Sequence, residues 1–268
     1  MIKKLKSFAA DCRYYLKFKT NYSGFRGVFT SFEEAIEKSP TKIIGYDNKI
    51  TVERYLKSFN PNDRKIRETE YPLFFWLNYI IYNEFLFKEE IKIFDFGGNL
   101  GGHFFRFLLV AIKKEIKWIV CELQSIATLG KERFSNNNLC FTTSFDEADG
   151  CDIFFSSGAI QYVKSFLSLS LSRLNKLPKH VLISRIPLQD KTETFVTLQN
   201  GGGTFYPQYV FNRNSFLKEM REIGYELIDE WSSLFDKCLI PFHRDKSVYA
   251  YTGLYFRINE DGKGNSKR

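Results

Sequence analysis

The sequence predicts an α/β fold built on a mostly parallel sheet, and three observations carry that expectation. From Ile91 onward, short apolar runs alternate with helical patterns; the first run ends in a glycine-rich turn; and the last two runs, 225–232 and 249–258, follow each other with no clear helix between them. Strands are expected at 91–96, 118–123, 140–143, 152–156 and 181–185, with helices near 103–115, 126–134, 166–174 and 215–223. The two final runs would then form an antiparallel pair at the sheet edge. A length of 268 residues suits one such domain with an accessory segment, and an aromatic content of 17% makes its interior rich in rings.

The stretch up to residue 88 reads as mainly helical. Ile2, Leu5, Phe8, Cys12 and Tyr15/Leu16 recur at three- and four-residue steps among Lys3, Lys4, Lys6 and Arg13, which describes a basic amphipathic helix. Such a helix docks onto the rest of the protein or, as the second choice, residues 1–19 meet an anionic membrane surface. A short helix over 32–38 is capped by Ser31 with Glu34 three residues on, and another spans 51–59 before the Asn60-Pro61-Asn62-Asp63 turn. The apolar stretch 71–87 contains Asn78, Asn83 and Glu84, falls short of a membrane span and reads as a buried helix. The division expected is a helical segment 1–88 that caps the site, a ligand-binding domain 89–258 and a disordered tail 259–268.

Charge and cysteines exclude some classes. The net charge of +8 gathers in the first 20 residues and in 262–268 and forms no continuous stripe, so a nucleic-acid groove is disfavoured against a solvated surface. Five cysteines, an odd count without a CxxC pair, argue against a disulfide framework or a zinc site, and no carboxylate and histidine cluster has metal-ligand spacing. With no uninterrupted apolar leader among residues 1–19, the expected compartment is the cytoplasm, with peripheral contact at the inner membrane face as the variant of that expectation.

The strongest chemical signal is Asp95-Phe96-Gly97-Gly98-Asn99-Leu100-Gly101-Gly102, where an apolar strand gives way to a helix. Glycines there let a ligand approach backbone N–H groups with no Cβ in the way. A dinucleotide fingerprint needs glycine where Asn99 stands, and the charge of Asp95 would repel a pyrophosphate. An acid two residues before Gly97 fits instead the D-x-G-x-x-x-G turn that binds S-adenosylmethionine (SAM), with Gly97, Gly98, Asn99 and Gly101 as backbone cradle and Asp95 ordering the loop and receiving the cationic amino-acid end. Glu122, closing the second strand, is spaced to accept the two ribose hydroxyls, with Leu123 beside it. Asp146, after the third strand, is a candidate adenine-side wall. Ser156 and Ser157 end the fourth strand with small side chains that leave room for the methionine arm and the acceptor. These features together specify a Rossmann-like class I methyltransferase, with a mostly parallel seven-stranded sheet and an antiparallel edge strand.

Most of the chain also resembles a bacterial family of SAM-dependent methyltransferases whose genes usually lie in exopolysaccharide, capsule or O-antigen clusters. The resemblance runs through the stretches 27–35 and 45–47, the loop 95–101, 118–122, 156–162, 183–187 and Tyr206-Pro207. It implies O-methylation of a sugar or glycan precursor, by in-line attack of a hydroxyl on the sulfonium methyl with a base removing the proton. Candidates on the acceptor side are His103, opening the helix after the glycine turn, His243 in the loop between the last two strands, Arg185 as partner for an anionic acceptor, and Tyr162 and Tyr206 as pocket walls. Two other functions stand behind this one: a SAM enzyme acting on nucleic acid, and a non-catalytic methyltransferase-like scaffold.

Overall fold

The computed structural model describes residues 2–20, 24–41, 45–112 and 115–259; the tail expectation for 260–268 lies outside the described residues. In chain order the elements are α1 (Ile2–Leu16), β1 (Phe25–Phe29), α2 (Phe32–Glu37), α3 (Lys49–Ser58), α4 (Tyr71–Ile80), β2 (Ile91–Phe96), α5 (Gly102–Phe107), β3 (Ile116–Cys121), α6 (Gln124–Phe134), β4 (Leu139–Thr142), β5 (Ile153–Ser157), α7 (Leu167–Leu171), β6 (His180–Ile186), β7 (Leu188–Gln189), β8 (Phe195–Asn200), β9 (Phe205–Asn212), α8 (Arg213–Glu222), β10 (Tyr225–Ser233) and β11 (Tyr251–Ile258). The main sheet has seven strands in the order β10-β11-β6-β5-β2-β3-β4. The five strands from β6 to β4 are parallel, and β11 runs antiparallel to both of its neighbours, β6 and β10.

Alternating side chains divide the sheet into two apolar layers. Ile91 and Ile93 face one side, where α4 contributes Leu73, Phe74 and Leu77 and α5 contributes Phe104 and Phe107 around Trp118. Phe94 faces the other, against Phe154, the α7 residues Leu167 and Leu171, and the α8 residues Phe216 and Met220. Strand order reverses at β2, whose neighbours β3 and β5 are reached by crossovers in opposite directions. A crevice must open outside the carboxyl ends of the strands at that point.

A second sheet is absent from the sequence-based expectation. It has the order β1-β8-β9-β7, so a strand from the segment ahead of residue 88 pairs antiparallel with one near residue 197, for instance Phe25 with Gln199. The segment ahead of residue 88 is therefore not helical throughout. Two of its helices start as expected: Ser31 accepts the Glu34 N–H at 3.1 Å to cap α2, and Asn48 accepts the Thr51 N–H at 3.0 Å to cap α3. Helix α1 lies on the loop before β11, where the rings of Phe8 and Tyr15 meet Phe242 and Asp11 pairs with Arg244 at 3.5 Å.

Two helices differ from expectation. The helix expected over 103–115 ends at Phe107, because the Asn78 amide accepts the Ile112 N–H at 3.0 Å and donates to the Val110 carbonyl at 3.1 Å, drawing the chain away from the helical path. The buried helix expected over 71–87 is buried on one face only; after Ile80 it widens into a π-helical turn, Ile81–Phe85, and Tyr71, Phe75, Tyr79 and Tyr82 are exposed. No helix among the described residues is long and apolar enough to cross a membrane.

The segment before β2 is fastened to α5 by a buried ion pair. Arg106 Nε donates to both oxygens of Glu70 at 2.9 Å, and Glu70 also accepts the Arg67 N–H at 2.9 Å. Removing one partner strands the other charge in an apolar layer. For Glu70→Ala the expected cost is about 3–5 kcal/mol, a fall in Tm on the order of 10 °C measurable by scanning calorimetry.

Candidate active site

The glycine turn leaves β2 in a conformation that only certain residues tolerate. Gly97 has φ +74°, and a Cβ there would run into the Ala159 methyl across the crevice. A Cβ on Gly98 would collide with the Asp95 carboxylate packed beneath it. Asn99 also has positive φ, 56°, which asparagine accommodates better than most side chains. Gly97 extends the β2–β3 ladder through its N–H to the Cys121 carbonyl at 2.9 Å, and the Ser156 hydroxyl donates to the Phe96 carbonyl at 2.9 Å. The turn is thus tied to the strands on both sides.

Two carboxylates hold it. Asp95 is fully buried under the loop; its Oδ2 accepts the Trp118 indole N–H at 3.0 Å and lies 3.4 Å from His103 Nδ1, while Oδ1 has no hydrogen-bond partner among the described residues. Glu122 follows β3 and accepts the Asn99 N–H at 3.0 Å on one oxygen and the Leu123 N–H at 3.0 Å on the other. Burial above all, with the charges of Asp95 and Asp47 adding to it and the two N–H donors opposing it, pushes the Glu122 carboxyl up to about 7.

The crevice above is a cavity of about 1080 Å³. Gly97, Glu122 and Leu123 line one end with Ile126 and Thr143, and Arg185 and Tyr206 line the other. The remaining expected site residues stand elsewhere. Gly98, Asn99 and Gly101 form the rest of the turn, Asp95 and Ser156 support it from the strands, and none of these, nor Ser157, lines the cavity. Asp146 is exposed in the short turn after β4, Thr143 taking the place at the wall. His103 sits behind the loop between Asp95 and Glu70, and His243 lies in the loop before β11; neither lines the cavity. The Tyr206 hydroxyl is engaged by Arg54 Nη2 at 3.0 Å, by Thr51 at 3.3 Å and by Thr204.

Several lining residues come from parts of the chain that carried no site expectation. Tyr46 stacks on Tyr206 at 3.7 Å between ring centroids, and Asp47 accepts the Ser125 hydroxyl. Arg54 and Tyr55 descend from α3, while Tyr162, which the sequence does suggest as a pocket wall, lines the cavity and donates to Gln199 at 2.6 Å. Asp236 grips Arg185 through Nε at 2.8 Å and Nη2 at 2.9 Å. Burial raises the hydroxyls of Tyr46 and Tyr55 well above their usual range and pushes Tyr162 up to about 12.

No family model matches the chain, and no curated protein matches it. Solved structures do resemble it. Magnesium protoporphyrin IX methyltransferase from Synechocystis PCC 6803, with bound SAH, aligns over 80% of this chain and 96% of its own with TM-score 0.51 and 11% identity. A LepI variant in complex with SAH and a substrate analogue aligns over 95% of this chain and 63% of its own with TM-score 0.51 and 9% identity. At these identities the likeness establishes the architecture, a Rossmann-like class I methyltransferase fold.

The raised Glu122 gives the site a signature in stability. A folded pKa near 7 against an ordinary 4.5 means that the folded state holds the proton more tightly. The associated stability is fully present below about 4.5 and is lost as pH rises through about 7. Glu122→Gln is therefore expected to raise Tm at pH 8, by roughly 1–3 kcal/mol in stability, and to match the parent near pH 4.5. Thermal scans across that pH range check it, and equal Tm values at pH 8 would contradict the buried carboxylate.

Proposed function

We propose that the chain is a SAM-dependent methyltransferase acting on a small molecule, and that the acceptor is a sugar or glycan precursor methylated on oxygen for surface polysaccharide synthesis. The observation that carries the cofactor half is Glu122: a part-buried carboxylate at the lip of β3, beside a turn whose glycine backbone faces a cavity at the reversal of strand order. Its acceptor oxygens suit a pair of ribose hydroxyls; Leu123, Ile126 and Thr143 form a surface for a flat base; and Gly97 leaves backbone open for an amino-acid arm. Asp95 Oδ1, beneath the loop and without a hydrogen-bond partner among the described residues, is a further acceptor on that side of the turn. A cavity of about 1080 Å³ has room for such a nucleoside and a small acceptor together.

Bound SAM supplies an electrophilic methyl group on a sulfonium. The protein's own residues position and enclose: the aromatic walls from Tyr46, Tyr55 and Tyr162 exclude water, and Arg54, Arg185 and Gln199 offer polar groups for a hydroxylated acceptor. That the two solved neighbours hold SAH supports the cofactor. The carbohydrate acceptor rests on the sequence resemblance to enzymes of polysaccharide gene clusters.

Titration calorimetry with SAM and SAH tests the cofactor half. Glu122→Ala is expected to weaken binding by roughly tenfold to a hundredfold, the worth of hydrogen bonds to a charged group, and unchanged affinity would refute the site. For the acceptor, mass spectrometry of the producing cells' surface polysaccharide with and without the gene is expected to show loss of one methyl substituent. An unaltered polysaccharide together with salt-sensitive retention on nucleic acid would transfer the assignment to a nucleic-acid substrate.

A further inference from the structure

We propose that the accepting group is a carboxylate seated on Arg185 and that the product is a methyl ester; on a carbohydrate this is the carboxylate of a sugar acid. The proposal rests on the transferase reading above and names the group that reading leaves open. Arg185, in β6, has φ 59°, a left-handed conformation that costs an ordinary side chain about 1–2 kcal/mol. Three contacts hold it there. Asp236 takes Nε and Nη2, Gln161 donates its amide to the Arg185 carbonyl at 3.3 Å, and the side chain lies across Gly158 at the exit of β5. Asp236 is itself held by the Ser233 hydroxyl at 3.0 Å. Nη1 has no hydrogen-bond partner among the described residues, and it stands 3.6 Å from the point a Gly158 Cβ would occupy, where the cavity meets the end of β5. A guanidinium with one fork occupied and another edge facing a cavity is preorganised for a planar anion.

The supply of bases favours the same group. An alcohol must lose its proton as it attacks, and that requires a base at the acceptor. None of the three histidines lines the cavity: His103 lies behind the glycine turn, His180 is buried at the start of β6 against Glu84 and Tyr255, and His243 is in the loop before β11. Burial keeps the hydroxyls of Tyr46, Tyr162 and Tyr251 protonated. Asp236, against the effect of its burial, is held below the usual carboxylate range by Arg185, Asp47 is engaged by Ser125, and Glu122 stands at the proposed cofactor end with one oxygen accepting the Asn99 N–H and the other the Leu123 N–H. A carboxylate acceptor needs none of them, being ionised at neutral pH. Its oxygen lone pair forms the new O–C bond while the S–C bond breaks and returns its electron pair to sulfur. Anion and sulfonium become a neutral ester and a neutral thioether, and no proton moves.

The experiment incubates the purified full chain with methyl-tritiated SAM and a small-molecule extract of producing cells, then treats the products with mild alkali. Esters release the label as volatile methanol, whereas ethers and methylamines retain it. Volatile label is the expected result, with Arg185→Ala lowering its formation about tenfold or more while calorimetric affinity for SAM stays unchanged. Label that survives alkali, or no label leaving a cofactor that demonstrably binds, overturns the carboxylate assignment. Failure of the parent protein to bind SAM would instead overturn the reading beneath it.

Discussion

The backbone N–H of Asn99 donating to Glu122 ties the turn after β2 to the end of β3, and the shape of the cavity depends on that tie. A glycine-rich turn alone is floppy, since each glycine gives up more conformational freedom on ordering than any other residue. Here the loss is offset by fixed partners: Asp95 packs beneath Gly98, Ala159 abuts Gly97, and Glu122 holds the third residue of the turn. On the proposed reading, the carboxylate that orders the loop is also the one offered to the ribose. Order at the turn and affinity for the proposed cofactor would then be coupled through a single side chain.

Around this point the protein assembles walls from distant parts of the chain. The parallel strands deliver their carboxyl ends to one edge, as strand-order reversal demands, and so provide the floor and the proposed cofactor end. The other end is built by α2, α3 and the second sheet, with Tyr46 and Tyr206 stacked where they meet. The Glu70–Arg106 pair anchors the segment carrying α4 to α5, which starts immediately after the glycine turn. The segment before β2 and the helix that leaves the glycine turn are thus held together by one buried charge pair.

Much of this was legible in the residues. The main sheet announced itself because strands buried on both faces read as apolar runs, and the turn did because Asp95, the glycines and Glu122 recur at a spacing set by one βαβ unit. What stayed hidden has physical reasons. β8 and β9 are buried on both faces, lack alternation, and Pro207 interrupts β9 where a proline normally argues against a strand. β1 is five residues with a glycine at its centre and gains its pairing from β8, far along the chain. Tyr46, Arg54 and Asp236 become wall residues only through such remote contacts, which no local pattern encodes. His103 and His243 were drawn in by their places next to the expected turn and loop, whereas side-chain direction takes them elsewhere.

The pairing of β1 with β8 also sets a timetable for folding. A chain emerging from the ribosome can close the βα units of the main sheet in sequence, each using neighbours already made. The edge strand near the amino end must wait, solvent-exposed and unpaired, until residues around 197 have been synthesised. Contacts of such high sequence separation form late because closing a long loop precedes any gain from it. The floor at the strand ends is accordingly expected to mature before the opposite wall, so on the proposed reading newborn protein would hold the nucleoside before it can select a partner for it.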